Sequence, residues 1–99
     1  MKFTWDRNAE ITAADIPELT EEIIFSGGFD KPIGPNVLPN SLEYIKFGRY
    51  YNQPIGENIL PNSLNSIKLG YCFNQLIGEN VLPDSLKSIK FRTCFNGPI

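Results

Sequence analysis

Ninety-nine residues suffice for one small domain, and a composition of 41% hydrophobic and 20% charged residues is ordinary globular usage, which excludes disorder, collagen and a highly charged tail. Nine Lys and Arg against eleven Asp and Glu leave a formal charge of -2, which argues against a general binder of nucleic acid or anionic membrane. With no His in the chain, Ser-His and Cys-His nucleophile pairs and every His-containing metal site are excluded, so neither an enzyme nor a cofactor is expected.

A repeat organises everything that follows. Leu38-Pro39-Asn40-Ser41-Leu42 returns as Leu60-Pro61-Asn62-Ser63-Leu64 and as Leu82-Pro83-Asp84-Ser85-Leu86, and the interval from Leu38 to Leu60 equals that from Leu60 to Leu82. In chain order, residues 1–15 read as a degenerate half coil or N-terminal cap. Run back by one period, the repeat puts Met1, Phe3 and Ile11 in register with Ile23, Phe25 and Ile33, and Trp5 is expected to shield the open end. The stretch Met1 to Ile11 carries Asp6, Arg7 and Glu10 and lacks the apolar core of a signal peptide. No run approaches the roughly 20 apolar residues of a spanning helix, so an intracellular, cytoplasmic protein is expected.

Four units fall near 16–37, 38–59, 60–81 and 82–99, the first degenerate, with Ile16-Pro17 in place of Leu-Pro and Thr20 in place of the leucine, and the last stopping in mid-unit. In each, an alternating segment such as Ile45-Lys46-Phe47, bounded by Pro-Asn-Ser and by glycine, reads as a short strand. The segments that follow are rich in Asn, Gly and Pro, which favour turn and extended coil over helix. A strand that returns in the same direction in every unit makes a parallel sheet with one strand per coil. The predicted fold is a right-handed repeat solenoid of about four and a half coils with little helix. One coil buries too few apolar side chains to offset its own backbone entropy, so the coils must stack.

The spacing Leu-x-x-Ile-x-Phe, with Cys72 and Cys94 three places further on, resembles the leucine-rich repeat. Tyr51-Asn52-Gln53-Pro54-Ile55, Phe73-Asn74-Gln75-Leu76-Ile77 and Phe95-Asn96-Gly97-Pro98-Ile99, with Phe29-Asp30-Lys31-Pro32-Ile33 as a fourth, are more specifically similar to the FNIP repeat. That family occurs in social amoebae and giant amoeba viruses, often behind an F-box that ties the repeats to ubiquitin ligases. The segment from Met1 to Asp15 that precedes the repeats here is too short for an F-box, so the resemblance implies recognition and not the adaptor role.

Three columns of equivalent residues draw attention. Asn52, Asn74 and Asn96 are expected to stack as a structural ladder of buried amides, to which Asn8 should add little. Gly34, Gly56 and Gly78 are expected to supply positive φ at the turns. Lys46, Lys68 and Lys90, joined by Arg92, should line the exposed face of the sheet. They are either solvated charges that discourage stray strand pairing or a stripe that holds an acidic partner, peptide or phosphate. Cys72 and Cys94, one period apart, are within disulfide reach, and packing as small apolar side chains is the other reading. The C-terminal coil, with Phe91, Phe95 and Ile99 uncovered, is expected to associate end to end with another copy. The function expected is a non-catalytic protein-interaction module. The competing one is a structural or vestigial fragment of an expanded repeat family, with no partner of its own.

Overall fold

A computed structural model describes residues 1–78 and 80–91. Five strands, β1 (Lys2–Trp5), β2 (Glu22–Phe25), β3 (Tyr44–Lys46), β4 (Ser66–Leu69) and β5 (Ser88–Phe91), form one sheet in the order β1-β2-β3-β4-β5, every neighbouring pair parallel. Among the described residues the sole helical element is one 3-10 turn, Ala13–Asp15, whose N-terminus is closed by Asp15 Oδ2 accepting from the Thr12 N–H and hydroxyl.

The strands form where β-branched and aromatic residues alternate with polar ones. Their alternation sends Ile23, Ile45 and Ile67 inward, each at most 1% exposed, and the next inward position holds Phe25, Phe47 and Leu69. Ile23, Ile45, Ile67 and Ile89 lie in register across the sheet. Behind it Leu42 and Leu64 fill the middle of each coil, while Phe25, Phe29, Phe47 and Tyr51 make a block of near-parallel rings with centroids 4.2 to 5.5 Å apart.

The Pro-Asn-Ser-Leu box does two things. The Leu42 and Leu64 N–H groups donate to Pro39 O and Pro61 O, each at 3.1 Å, closing a turn. The serine then clamps the preceding coil: Ser41 Oγ donates to Thr20 O, Ser63 Oγ to Leu42 O and Ser85 Oγ to Leu64 O, at 2.8, 2.6 and 2.7 Å. Thr20, fully buried where other units hold leucine, satisfies its hydroxyl on Pro17 O at 2.7 Å. Leu19 stands where the others have the serine. It is 75% exposed at φ 63°, a conformation that costs a branched side chain about 1 to 2 kcal/mol.

A second ladder runs along the far side. Asp30 N–H donates to Asn8 Oδ1, Asn52 N–H to Asp30 Oδ1 and Asn74 N–H to Asn52 Oδ1, at 2.9, 2.9 and 2.8 Å. Gln53 and Gln75 add Nε2 donations to the oxygens of Asp30 and Asn52. Asn8, expected to stand apart, is thus the first rung. The amides are not buried as expected, for Asn74 is exposed and Asn52 half-buried, and each rung works by giving the next coil's backbone an acceptor. Asn96 lies outside the described residues. Asn52→Ala is expected to cost about 1 to 3 kcal/mol, since it strips the acceptor from two donors at once. Urea unfolding midpoints measure it, and a loss below a few tenths would mean that water replaces the rung. Asn8→Ala should also be measurable, at the low end of that range, with one donor affected.

Two further expectations are corrected. The first coil is shorter than the others: Phe3 pairs with Ile23 and Trp5 with Phe25, two places short of the full period that Asn8 and Asp30 keep. The two missing places fall between Trp5 and Asn8. Trp5 accordingly takes the slot of Phe25 in the core, 7% exposed, with Nε1 donating to Ala9 O at 3.2 Å and the Arg7 guanidinium 5.0 Å above its ring. Nor do Gly34, Gly56 and Gly78 have positive φ. Asn36, Asn58 and Asn80 do, at 62, 65 and 63°. In Gly34-Pro35-Asn36-Val37 this fits a type II turn with Pro second and the left-handed residue third, a place where Asn is the most tolerant residue after Gly.

Candidate protein-interaction face

The outward face of the sheet follows from the same alternation. Between the inward residues of each strand, one outward column runs Glu22, Tyr44, Ser66, Ser88 and the other Ile24, Lys46, Lys68, Lys90, all in register. Lys46 and Lys68 are half-buried and Lys90 is exposed. Parallel strands lie about 4.8 Å apart, and two ammonium groups at that spacing repel by about 1 kcal/mol even in water. No ion pair among the described residues relieves this. Those present are Met1 with Glu21 and Arg7 with Asp6, both on the first coil and its link to the second. Arg92, the fourth member expected of the stripe, lies outside the described residues.

The sequence reasoning missed Arg49. It follows Gly48 on the loop leaving β3, in a column that holds Gly27 below it and Tyr71 above it, so no periodicity marked it. Its guanidinium carbon sits 5.2 Å from the centroid of the Tyr71 ring and 5.8 Å from that of Tyr50, a cation over two aromatic faces. Between Arg49, Tyr71, Lys46 and Lys68 opens a groove of about 460 Å³. Gly48 and Gly70 are among the residues that line it. A Cβ on Gly48 would stand 2.3 Å from Ser26 O, and one on Gly70 2.3 Å from Gly48 O, so the coils approach here through bare backbone and neither position can carry a side chain. A smaller recess of about 150 Å³ lies beside it, between Tyr44, Ser66, Lys68 and Lys90.

Cys72 is a free, exposed thiol in the column of Tyr50 and Gly28, so it does not pack inside as one reading expected; Cys94 is outside the described residues. Among the described residues there is no group of three His, Cys, Asp or Glu placed to hold a metal ion, and no helix long and apolar enough to cross a membrane. A basic, tyrosine-edged strip on a rigid sheet can bind an anion or an acidic chain.

Comparison with known proteins agrees with this architecture. The model of the FNIP repeat matches residues 8–50 and 51–94. Among solved structures the chain is similar to CroV588, a giant-virus protein described as a novel circular LRR protein, with a TM-score of 0.93 and 46% sequence identity. The match covers 99% of this chain and 15% of that one, so the chain spans a small arc of the longer protein. The curated proteins contain no match.

Proposed function

The chain belongs to the FNIP repeat family, and from that premise we propose that it is a non-catalytic recognition module of the cytoplasm that offers the outward face of its sheet to an acidic protein partner. The observation that carries this reading is the in-register row Lys46, Lys68, Lys90, which has no carboxylate within 4.0 Å among the described residues and is flanked by Tyr44, Tyr50 and Tyr71. Tyrosine and cationic side chains on a fixed backbone supply contact area and charge at little entropic cost. The free thiol of Cys72 suits a reducing compartment.

Changing Lys46, Lys68 and Lys90 together to Glu tests it. All three point away from the core, so the melting temperature should stay within a few degrees, while capture of an acidic partner should be lost and wild-type capture should weaken as salt rises. Capture indifferent to both changes would remove the site from this face. A second reading rests on the circular form of the similar protein: coils of this kind stack on one another, and the C-terminal coil would join another coil end to end. Sedimentation over a range of concentrations tests it, and a sedimentation coefficient constant throughout would count against it.

A further inference from the structure

We propose that the groove between Lys46, Lys68 and Arg49 is a phosphoryl subsite, and that the acidic partner enters it with a phosphorylated serine or threonine on an extended segment. This rests on the recognition role given to the sheet face above, and adds which chemistry that face selects. Three cations border one groove of about 460 Å³. A carboxylate brings a single charge and offsets one of them. A phosphoryl group brings about -1.5 to -2 charges and three acceptor oxygens, enough to bridge two ammonium groups and still take N–H donation from a guanidinium.

The site is also prepared for such a group. Lys46 and Lys68 are half-buried on adjacent strands, where solvent screens their repulsion less than at a free surface. Arg49 is held over the Tyr50 and Tyr71 rings, which restrains the guanidinium before any ligand arrives and leaves its edge free to donate. Gly48 and Gly70 contribute only backbone to the lining of the groove, and coil contact forbids a Cβ at either, so the charged side chains around it are those of Lys46, Lys68 and Arg49.

Charge around the groove argues for one compact anion and against a polyanion. Residues 1–30 carry seven Asp or Glu against two Lys or Arg. The sheet face itself turns acidic one strand away, where Glu22 stands beside Tyr44 and uncharged Ile24 beside Lys46. A nucleic acid or an anionic membrane laid along the solenoid would meet those carboxylates, whereas a single phosphoryl group on a peptide meets only the three cations.

Four probes decide the matter with the full chain: inorganic phosphate, a short Gly-Ser peptide with one phosphoserine, the same peptide unphosphorylated, and a Glu-rich peptide without phosphate. Binding is followed by nuclear magnetic resonance through the backbone amides of Gly48, Arg49 and Gly70. The expected result is saturable movement of these amides with phosphate and phosphopeptide, the phosphopeptide binding at least about tenfold more tightly than its unphosphorylated form. Arg49→Lys, which keeps the charge but loses the planar fork, should remove most of that preference, as should Lys68→Gln; both sites are outward, and unchanged spectra elsewhere would show the fold intact. If the Glu-rich peptide binds the lysine row as well as the phosphopeptide does, the phosphoryl subsite is overturned while the acidic-partner reading stands. Failure of all four probes to move these amides beyond what sodium chloride does at equal ionic strength overturns the subsite and counts against that reading too.

Discussion

Gly48→Ala is expected to destabilise the protein by about 3 kcal/mol or more, the upper end of what overpacking costs. Overpacking is usually relieved by side chains that rotate away. Here the atoms in the way are backbone: the added Cβ would meet Ser26 O at 2.3 Å, Ser26 C at 2.6 Å and Gly27 Cα at 2.7 Å. Relief requires the coil of β3 to lift off the coil of β2, which would strain the pairing of Ile23 with Ile45 and the stack of Phe25 on Phe47, 5.2 Å apart. Gly70→Ala should behave alike, because its Cβ would meet Gly48 O at 2.3 Å. Gly34→Ala is the control, with Val37 Cγ2 at 3.9 Å the nearest atom, and should be neutral or slightly stabilising through the unfolded chain. Urea midpoints of the three variants measure the contrast, and equal values at positions 34 and 48 would mean that the coil spacing is softer than the geometry implies.

These glycines show what a repeat discloses and what it conceals. Exact recurrence identifies which residues are equivalent, and alternation within each unit says which face inward; together they suffice for the strands, the isoleucine column and the outward lysines. Recurrence cannot say which of two neighbouring equivalents bears a conformational role. Gly34 and Asn36 recur together in the next two units, so the pattern alone assigns the left-handed residue to glycine, although the turn places it on asparagine. The glycine that matters, at 48 and 70, is set by contact between coils, which a single unit does not display. Arg49 has no equivalent in neighbouring coils, and the same uniqueness that hides it from a search for periodicity makes the groove differ from the rest of the face. The first coil slips by two places because its strand and its ladder rung are separated by a shorter link, and only the paired strands reveal that. Asn8 keeps the full period with Asp30, but Arg7, Ala9 and Glu10 around it share nothing with the Phe-Asn-Gln-Pro signature of the later rungs.

Tyr51→Ala is expected to cost about 3 to 5 kcal/mol, as large as any aromatic truncation in a core. Tyr51 is 1% exposed and its ring lies 4.2 Å from that of Phe47 and 5.5 Å from that of Phe29, so its removal opens a cavity walled by two other rings that cannot both collapse into it. Tyr51→Phe keeps the rings and should cost little at neutral pH. The two variants part at alkaline pH. Burial, with the charge of Asp30 adding to it, holds the Tyr51 phenol well above its ordinary range, so the folded chain keeps this proton where the unfolded chain releases it. The corresponding stability is fully present below about pH 10, where an unfolded tyrosine titrates, and is lost as the pH rises beyond it. Urea midpoints taken upward from pH 8 should therefore fall more steeply for the wild type than for Tyr51→Phe. Asp30→Asn, which keeps an Oδ1 acceptor for the Asn52 N–H while removing the charge, should begin to fall as the wild type does and level off at a lower pH, to the extent of that second cause. Parallel slopes for the wild type and Tyr51→Phe would mean that the alkaline loss arises at other groups and that the Tyr51 oxygen reaches water.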